Sequence, residues 1–167
     1  YIKSRIKAPE SIVKKLKRYG YDSSIDNMVN YINDIAGIRI VCSFTSDIYR
    51  IAEMIRLQND IHVIAVKDYI RLPKASGYKS YHMLVTVPVF LSDRTVDVKV
   101  EIQIRTVAMD FWASLEHKIN YKFEGNAPEH VKRELIECAG MVSALDNRMQ
   151  ELNEEIKALS KEDADGA

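Results

Sequence analysis

Apolar residues recur along this chain with two different periods. Ile35 to Phe44, Ile61 to Ile70, Ser80 to Phe90 and Thr95 to Thr106 are rich in Val, Ile and other strand formers and are predicted as strands, the last two joined by a turn at Leu91 to Arg94. The helical period takes over elsewhere. Pro9 to Tyr19 places Ile12, Leu16 and Tyr19 on one face, with Gly20 as the stop. Ser46 opens a second helix through Leu57, with Ile48, Ile51, Ala52 and Ile55 facing inward, and a third runs from Val107 to about Tyr121. This order predicts an α+β fold, a mixed β-sheet flanked by helices.

The turn-forming stretch Glu124 to Pro128 marks the candidate boundary between a core, residues 1–125, and a C-terminal helical extension, residues 126–167. In the extension Val131, Leu135, Cys138, Val142, Leu145, Met149, Leu152, Ile156 and Leu159 follow one another at alternating spacings of four and three, an unbroken heptad seam. A helix of that length reaches on the order of 50 Å. Part of it is therefore expected to meet another helix, the N-terminal one or that of a second subunit.

Composition narrows the class. With 47% hydrophobic residues and 24 basic against 24 acidic side chains, this is a foldable globular chain, not a disordered tail. No run approaches a membrane span, and the start YIKSRIK lacks the apolar core of a signal peptide, so a cytoplasmic location is expected. Cys42 and Cys138 lie in apolar segments too far apart in sequence to suggest a disulfide framework or zinc site, and both are expected as buried thiols.

The zero net charge is unevenly spread. Residues 1–18 hold seven basic side chains against Glu10 alone, while residues 129–167 are net acidic. A basic segment ahead of the core suits phosphates of a nucleotide or nucleic acid, or simply a solvated helix face. Ser11, Lys15 and Arg18 fall on one side of the first helix, opposite Ile12 and Leu16, with Arg5 and Lys7 just before it. That strip, with the helix start, could grip a triphosphate.

In the strand Val96 to Arg105 the apolar positions share one face, so Asp97, Lys99, Glu101, Gln103 and Arg105 share the other. The preceding strand adds Ser80 and His82, and the loop before it adds Lys74, Gly77 and Tyr78: cations for phosphate, and a ring on which a base can stack. Asp34 either caps a turn or, paired in space with Glu101, makes a two-carboxylate site able to hold Mg²⁺. His62, His117 and His130 are scattered and take no role. The phosphate loop GxxxxGK[ST], the dinucleotide fingerprint GxGxxG and the nucleophile elbow GxSxG are all absent.

Four stretches, taken in order, resemble the synthetase domain of the RelA/SpoT family, in particular the small alarmone synthetases: SRIKAPESIVKKLKR from Ser4, DIAGIRIVC from Asp34, KDYIRLPKASGYKSYH from Lys67 and EIQIRTVAMDFWASLEHKINYK from Glu101. The resemblance implies a nucleotidyltransferase-like core that transfers the β,γ-pyrophosphate of ATP to the 3′-hydroxyl of GDP or GTP, releasing AMP and giving (p)ppGpp, the alarmone of the stringent response. It implies that Arg5 and Arg39 sandwich adenine, that Lys7, Ser11, Lys15 and Arg18 grip the ATP phosphates, and that Asp34 and Glu101 hold Mg²⁺, with Glu101 also the general base. Tyr78 would stack guanine, and Lys74, His82, Gln103, Arg105 and Asp110 would surround the acceptor.

The same resemblance implies a homotetramer, and leaves RNA or (p)ppGpp itself open as regulators. No His is followed by Asp, so the hydrolase activity of long family members is not expected. Ala65-Val66-Lys67-Asp68 replaces the Arg-x-Lys-Asp or Glu-x-Asp-Asp signature of those members, and Asp110 stands where some small synthetases have Asn. Tyr1 is very close to Arg5, and a helix ahead of it is expected. The alternatives are a family member that pyrophosphorylates adenosine nucleotides or tRNA, or a non-catalytic nucleotide- or RNA-binding module.

Overall fold

A computed structural model of the chain describes residues 1–166. Its elements are β1 (Ile2–Ile6), α1 (Pro9–Arg18), α2 (Ile25–Tyr31), β2 (Ala36–Cys42), α3 (Thr45–Arg56), β3 (His62–Asp68), β4 (Tyr81–Phe90), β5 (Thr95–Thr106), α4 (Val107–Lys122) and α5 (Glu129–Asp165). The strands form one mixed sheet in the order β1-β2-β5-β4-β3, with β1/β2, β3/β4 and β4/β5 antiparallel. The expected α+β class, with a mixed sheet, helices and a long terminal helix, is borne out.

Two elements escaped the sequence. Every residue of β1 is exposed, so no buried alternation betrays this edge strand; it forms through backbone pairing with β2, Ser4 opposite Ile38. Helix α2 has only seven residues and none is buried, leaving as its local signal the N-cap Ser24, whose Oγ accepts from the Asn27 amide at 3.1 Å.

The chain divides into two compact units. The first comprises Tyr1–Ile40, Ile51–Asp68 and Tyr81–Ile104; the second comprises Val41–Arg50, Tyr69–Ser80 and the chain from Arg105 onward. In the first, Leu16 of α1 joins Ile32 and Ile35 in a core flanked by Ile12, Met28 and Val98. Removing side chains of this size from water contributes roughly 1.5–3 kcal/mol each. On β5, Val100, Ile102 and Ile104 are buried, as the alternation requires.

In the second unit α4 packs on α5 through Trp112, Ala113 and Ala139, with Tyr78, Leu135 and Val142 around them. Thr106 caps α4, its Oγ1 accepting from the Met109 amide at 3.2 Å, and donates its own hydroxyl to Asp146 of α5 at 2.7 Å. The expected heptad seam divides. Leu135 and Val142 turn inward with Ala139 and Asp146, whereas Cys138, Leu145, Met149, Leu152, Ile156 and Leu159 are exposed. Cys138 is therefore not a buried thiol. The turn that buries Ala139 rotates its neighbour outward by about 100°. No helix among the described residues is long and apolar enough to cross a membrane.

Candidate active site

Antiparallel pairing of β1 with β2 sets Lys3 opposite Arg39 and Arg5 opposite Gly37. Directly opposed residues share a face, so Arg5 and Arg39 stand diagonally on one side of the sheet with Gly37 between them. Nothing lies within 4 Å of where a Cβ on Gly37 would stand, so the floor between the guanidinium groups is bare. Asp34, Glu101 and Gln103 join these residues around a cavity of about 480 Å³.

A neighbouring cavity of about 540 Å³ is lined by Lys7, Ser11, Lys14, Lys15, Arg18 and Asp34. Helix α1 supplies four of these, and their spacing explains why they face the same way. Asp34 borders both cavities, and its two oxygens are taken separately: Lys15 Nζ lies 2.7 Å from Oδ1 and Lys7 Nζ 2.9 Å from Oδ2. Burial alone would raise the Asp34 pKa, but these two ammonium groups outweigh it and hold the carboxyl at about 2.

Glu101 moves the other way. Partial desolvation in the cavity raises its pKa, and the negative charge of Asp34 adds to the rise against Lys15, Lys7 and Arg5. Two acids thus share a cavity with opposed tendencies, Asp34 fixed as the anion and Glu101 made more basic, an arrangement that separates charge-holding from proton-accepting roles. Their hard oxygens suit Mg²⁺. Among the described residues no group of three or more His, Cys, Asp and Glu could hold a metal ion, so a cation here would need ligands from outside the protein to complete its shell.

Further along the sheet Lys67, His82 and Gln103 lie in register on β3, β4 and β5. Together with Asn33 and Glu101 they line a smaller cavity of about 160 Å³.

The remaining predicted residues, Lys74, Tyr78, Arg105 and Asp110, belong to the second unit. A tight loop carries the first two: the Gly77 amide donates to the Lys74 carbonyl at 2.9 Å and the Lys74 amide to the Tyr78 carbonyl at 3.1 Å. Gly77 adopts φ +95°, a conformation costly for any residue with a Cβ. Lys74 Nζ stands 5.0 Å from the Tyr78 ring centroid and 4.9 Å from that of Tyr69.

Arg105 is only 4% exposed and is engaged on three sides. It donates to Tyr78 Oη at 2.7 Å, to Asp110 Oδ1 at 3.1 Å and to Ser80 Oγ at 3.4 Å. Asp110 is itself buried. The alternation of β5 put Arg105 on the polar face, but its partners here hold the Tyr78 ring and leave the guanidinium little accessible surface.

The structure thus gathers Arg5, Arg39, Asp34, Glu101 and Gln103 at one cavity and Lys7, Ser11, Lys15 and Arg18 at the next, with His82 beside Gln103 and Glu101. Sequence reasoning missed Lys3, Ser4, Lys14, Asn33 and Lys67 as lining residues. Lys3 and Arg5 are two apart, the spacing of one strand face, and that signal becomes legible once β1 is known to be a strand.

Residues 4–126 match the family model described as the region found in RelA / SpoT proteins. GTP pyrophosphokinase YwaC of Bacillus subtilis is 47% identical over 93% of this chain and 74% of its own length. GTP pyrophosphokinase YjbM of the same organism is 40% identical over 94% of this chain and 73% of its own. A crystal structure of small alarmone synthetase 1 from Bacillus subtilis, bound to its product pppGpp, superposes with a TM-score of 0.81 at 40% identity, covering 93% of this chain and 79% of that one.

Proposed function

Because this chain belongs to the family defined by the region found in RelA and SpoT proteins, we propose that it is a GTP pyrophosphokinase, transferring the β,γ-pyrophosphate of ATP to the 3′-hydroxyl of GDP or GTP and releasing AMP. The observation that carries this is the common cavity of Asp34 and Glu101, continued by a strip of cations and floored between two arginines. Arg5 and Arg39 clasp adenine over Gly37. Lys7, Lys15, Ser11 and Arg18 take the phosphates, with Lys14 added to the strip.

Arriving phosphate oxygens compete with Asp34 for Lys7 and Lys15, which frees the Asp34 oxygens as ligands. Asp34 and Glu101 would hold Mg²⁺, which when bound supplies charge neutralisation for the pyrophosphoryl group while phosphate oxygens complete its shell. Glu101 accepts the proton of the acceptor 3′-hydroxyl as the oxygen bonds to the β-phosphorus. The bond between that phosphorus and the α,β-bridging oxygen breaks, and AMP leaves with the oxygen. Such transfer asks of the protein mainly in-line positioning and charge stabilisation, which a dense cationic strip provides.

Tyr78 is the platform for guanine, with Lys74 above its ring, and His82 and Gln103 serve the acceptor phosphates. Arg105 and Asp110 are assigned to holding Tyr78 in place, in view of their burial. Its proposed substrates, ATP and GTP, support a cytoplasmic location, and the exposed apolar stripe of α5 supports assembly of several copies, a tetramer in the family's pattern.

The test is direct. The protein is incubated with Mg²⁺, γ-labelled ATP and each guanine nucleotide in turn, and the products are separated. A labelled guanosine product with AMP release is expected; label on an adenosine nucleotide or tRNA, or no transfer, overturns the assignment. Glu101→Gln should slow AMP release by ~10²- to 10⁴-fold while the circular dichroism spectrum is unchanged.

A further inference from the structure

The loop that carries Tyr78 rests on the terminal helix. A Cβ at Gly77 would stand 2.7 Å from the Ala139 Cβ of α5 and 3.4 Å from the Trp112 ring, an approach that only glycine allows. Trp112, packed beside Tyr78, donates its indole N–H to the Leu135 carbonyl of α5 at 2.8 Å. Three residues from Ala139 to Val142 and four more to Asp146 keep the same helix face turned inward. Asp146, 6% exposed, accepts from Thr106 at 2.7 Å, and Thr106 is the residue next to Arg105, whose guanidinium bonds the Tyr78 hydroxyl.

Helix α5 therefore meets the Tyr78 loop by two routes. One is direct contact, Gly77 on Ala139. The other passes through Asp146, Thr106 and Arg105 to the phenol. The buried carboxylate of Asp146 thus holds both the cap of α4 and the residue beside the one that fixes the ring.

We propose that Ala139 and Asp146 of α5 are positioning residues for the acceptor nucleotide, setting the place of Tyr78 and hence the affinity for GDP or GTP, with no corresponding hold on ATP. This rests on Tyr78 being the guanine platform. Neither residue touches a reacting atom. Their effect appears in how tightly the acceptor binds and leaves the chemical step to Glu101.

Trp112 is the chain's single tryptophan; it belongs to the cluster that Tyr78 packs against and its ring stands 3.4 Å from where a Cβ on Gly77 would be, so its emission reports on that loop. The full chain is titrated with GDP and, separately, with a non-hydrolysable ATP analogue, and KM for both substrates is measured. Asp146→Ala is expected to weaken GDP binding and raise the acceptor KM on the order of tenfold, as loss of a buried hydrogen bond allows, with ATP KM and kcat within about twofold. Asp146→Asn, which keeps an oxygen to accept from Thr106, is expected to restore wild-type GDP binding. Ala139→Val, which crowds Gly77, is expected to behave like Asp146→Ala.

Folded variants with unchanged GDP affinity overturn the proposal, as does an equal rise in both KM values. If Ala139→Val does not fold, the Asp146→Ala and Asp146→Asn pair decides. Failure of the functional assignment looks different: the wild-type protein then gives no guanosine product.

Discussion

Asp34 carries two lysines, one on each oxygen, and this fixes both its charge and what happens when it is removed. Its pKa is depressed in the folded chain from 3.8 to about 2, so the folded state binds fewer protons than the unfolded one in that range. The stabilisation, about 2 kcal/mol at most by linkage, is complete above pH 4 and is lost as pH falls towards 2. In metal-free buffer the melting temperature of the wild-type protein should fall across that window more steeply than that of Asp34→Asn. Parallel curves would show that the lysines do not hold the carboxylate in solution. The opposite displacement of Glu101 comes first from its partial burial, and the fixed anion of Asp34 adds to it by making the proton harder to lose. The sequence supplied both acids as candidates, Glu101 on the polar face of a strand and Asp34 just ahead of one. It did not supply the lysines as their partners, because Lys7 and Asp34 are 27 positions apart and only the fold brings them together.

At the scale of elements, β2 shows how a strand can serve a site by what it omits. Gly37 has open space around its missing Cβ and no unusual backbone angle, so Gly37→Val should fold at least as well as the wild type. The valine would fill the slot between Arg5 and Arg39, and calorimetry with an ATP analogue should show affinity reduced by roughly tenfold or more, equivalent to about 1.4 kcal/mol. Unaltered affinity would separate that slot from adenine binding. Strong periodic elements were legible beforehand: β5 through its Val and Ile alternation, α1 through its Ile12 and Leu16 stripe and its proline start. The edge strand β1 and the short α2 were not, since backbone pairing and a single cap leave almost no trace in hydrophobic pattern. The role of Arg105 was hidden for a related reason. Strand alternation tells which face a side chain takes, whereas its burial depends on Tyr78, Asp110 and Ser80 arriving from other elements.

At the scale of the whole molecule, Leu145, Met149, Leu152, Ile156 and Leu159 leave an apolar stripe along the outer part of α5. Contiguous apolar surface of this kind is what the proposed assembly would cover. Light scattering is expected to give a mass several times the 19.2 kDa of one chain, and Leu152→Glu combined with Ile156→Glu should lower it. A monomeric wild type would remove assembly from the proposed function. One edge of the sheet is β1, which presents all its side chains to solvent and its outer backbone edge to any extended peptide that comes near. Such an edge invites sticking between molecules, and cationic side chains are among the devices that discourage it. Lys3 and Arg5 thus hold two offices, guarding the border of the sheet and reaching into the cavity. Replacing Arg5 by a greasy residue would confound lost nucleotide affinity with precipitation, whereas exchange for glutamine separates the two.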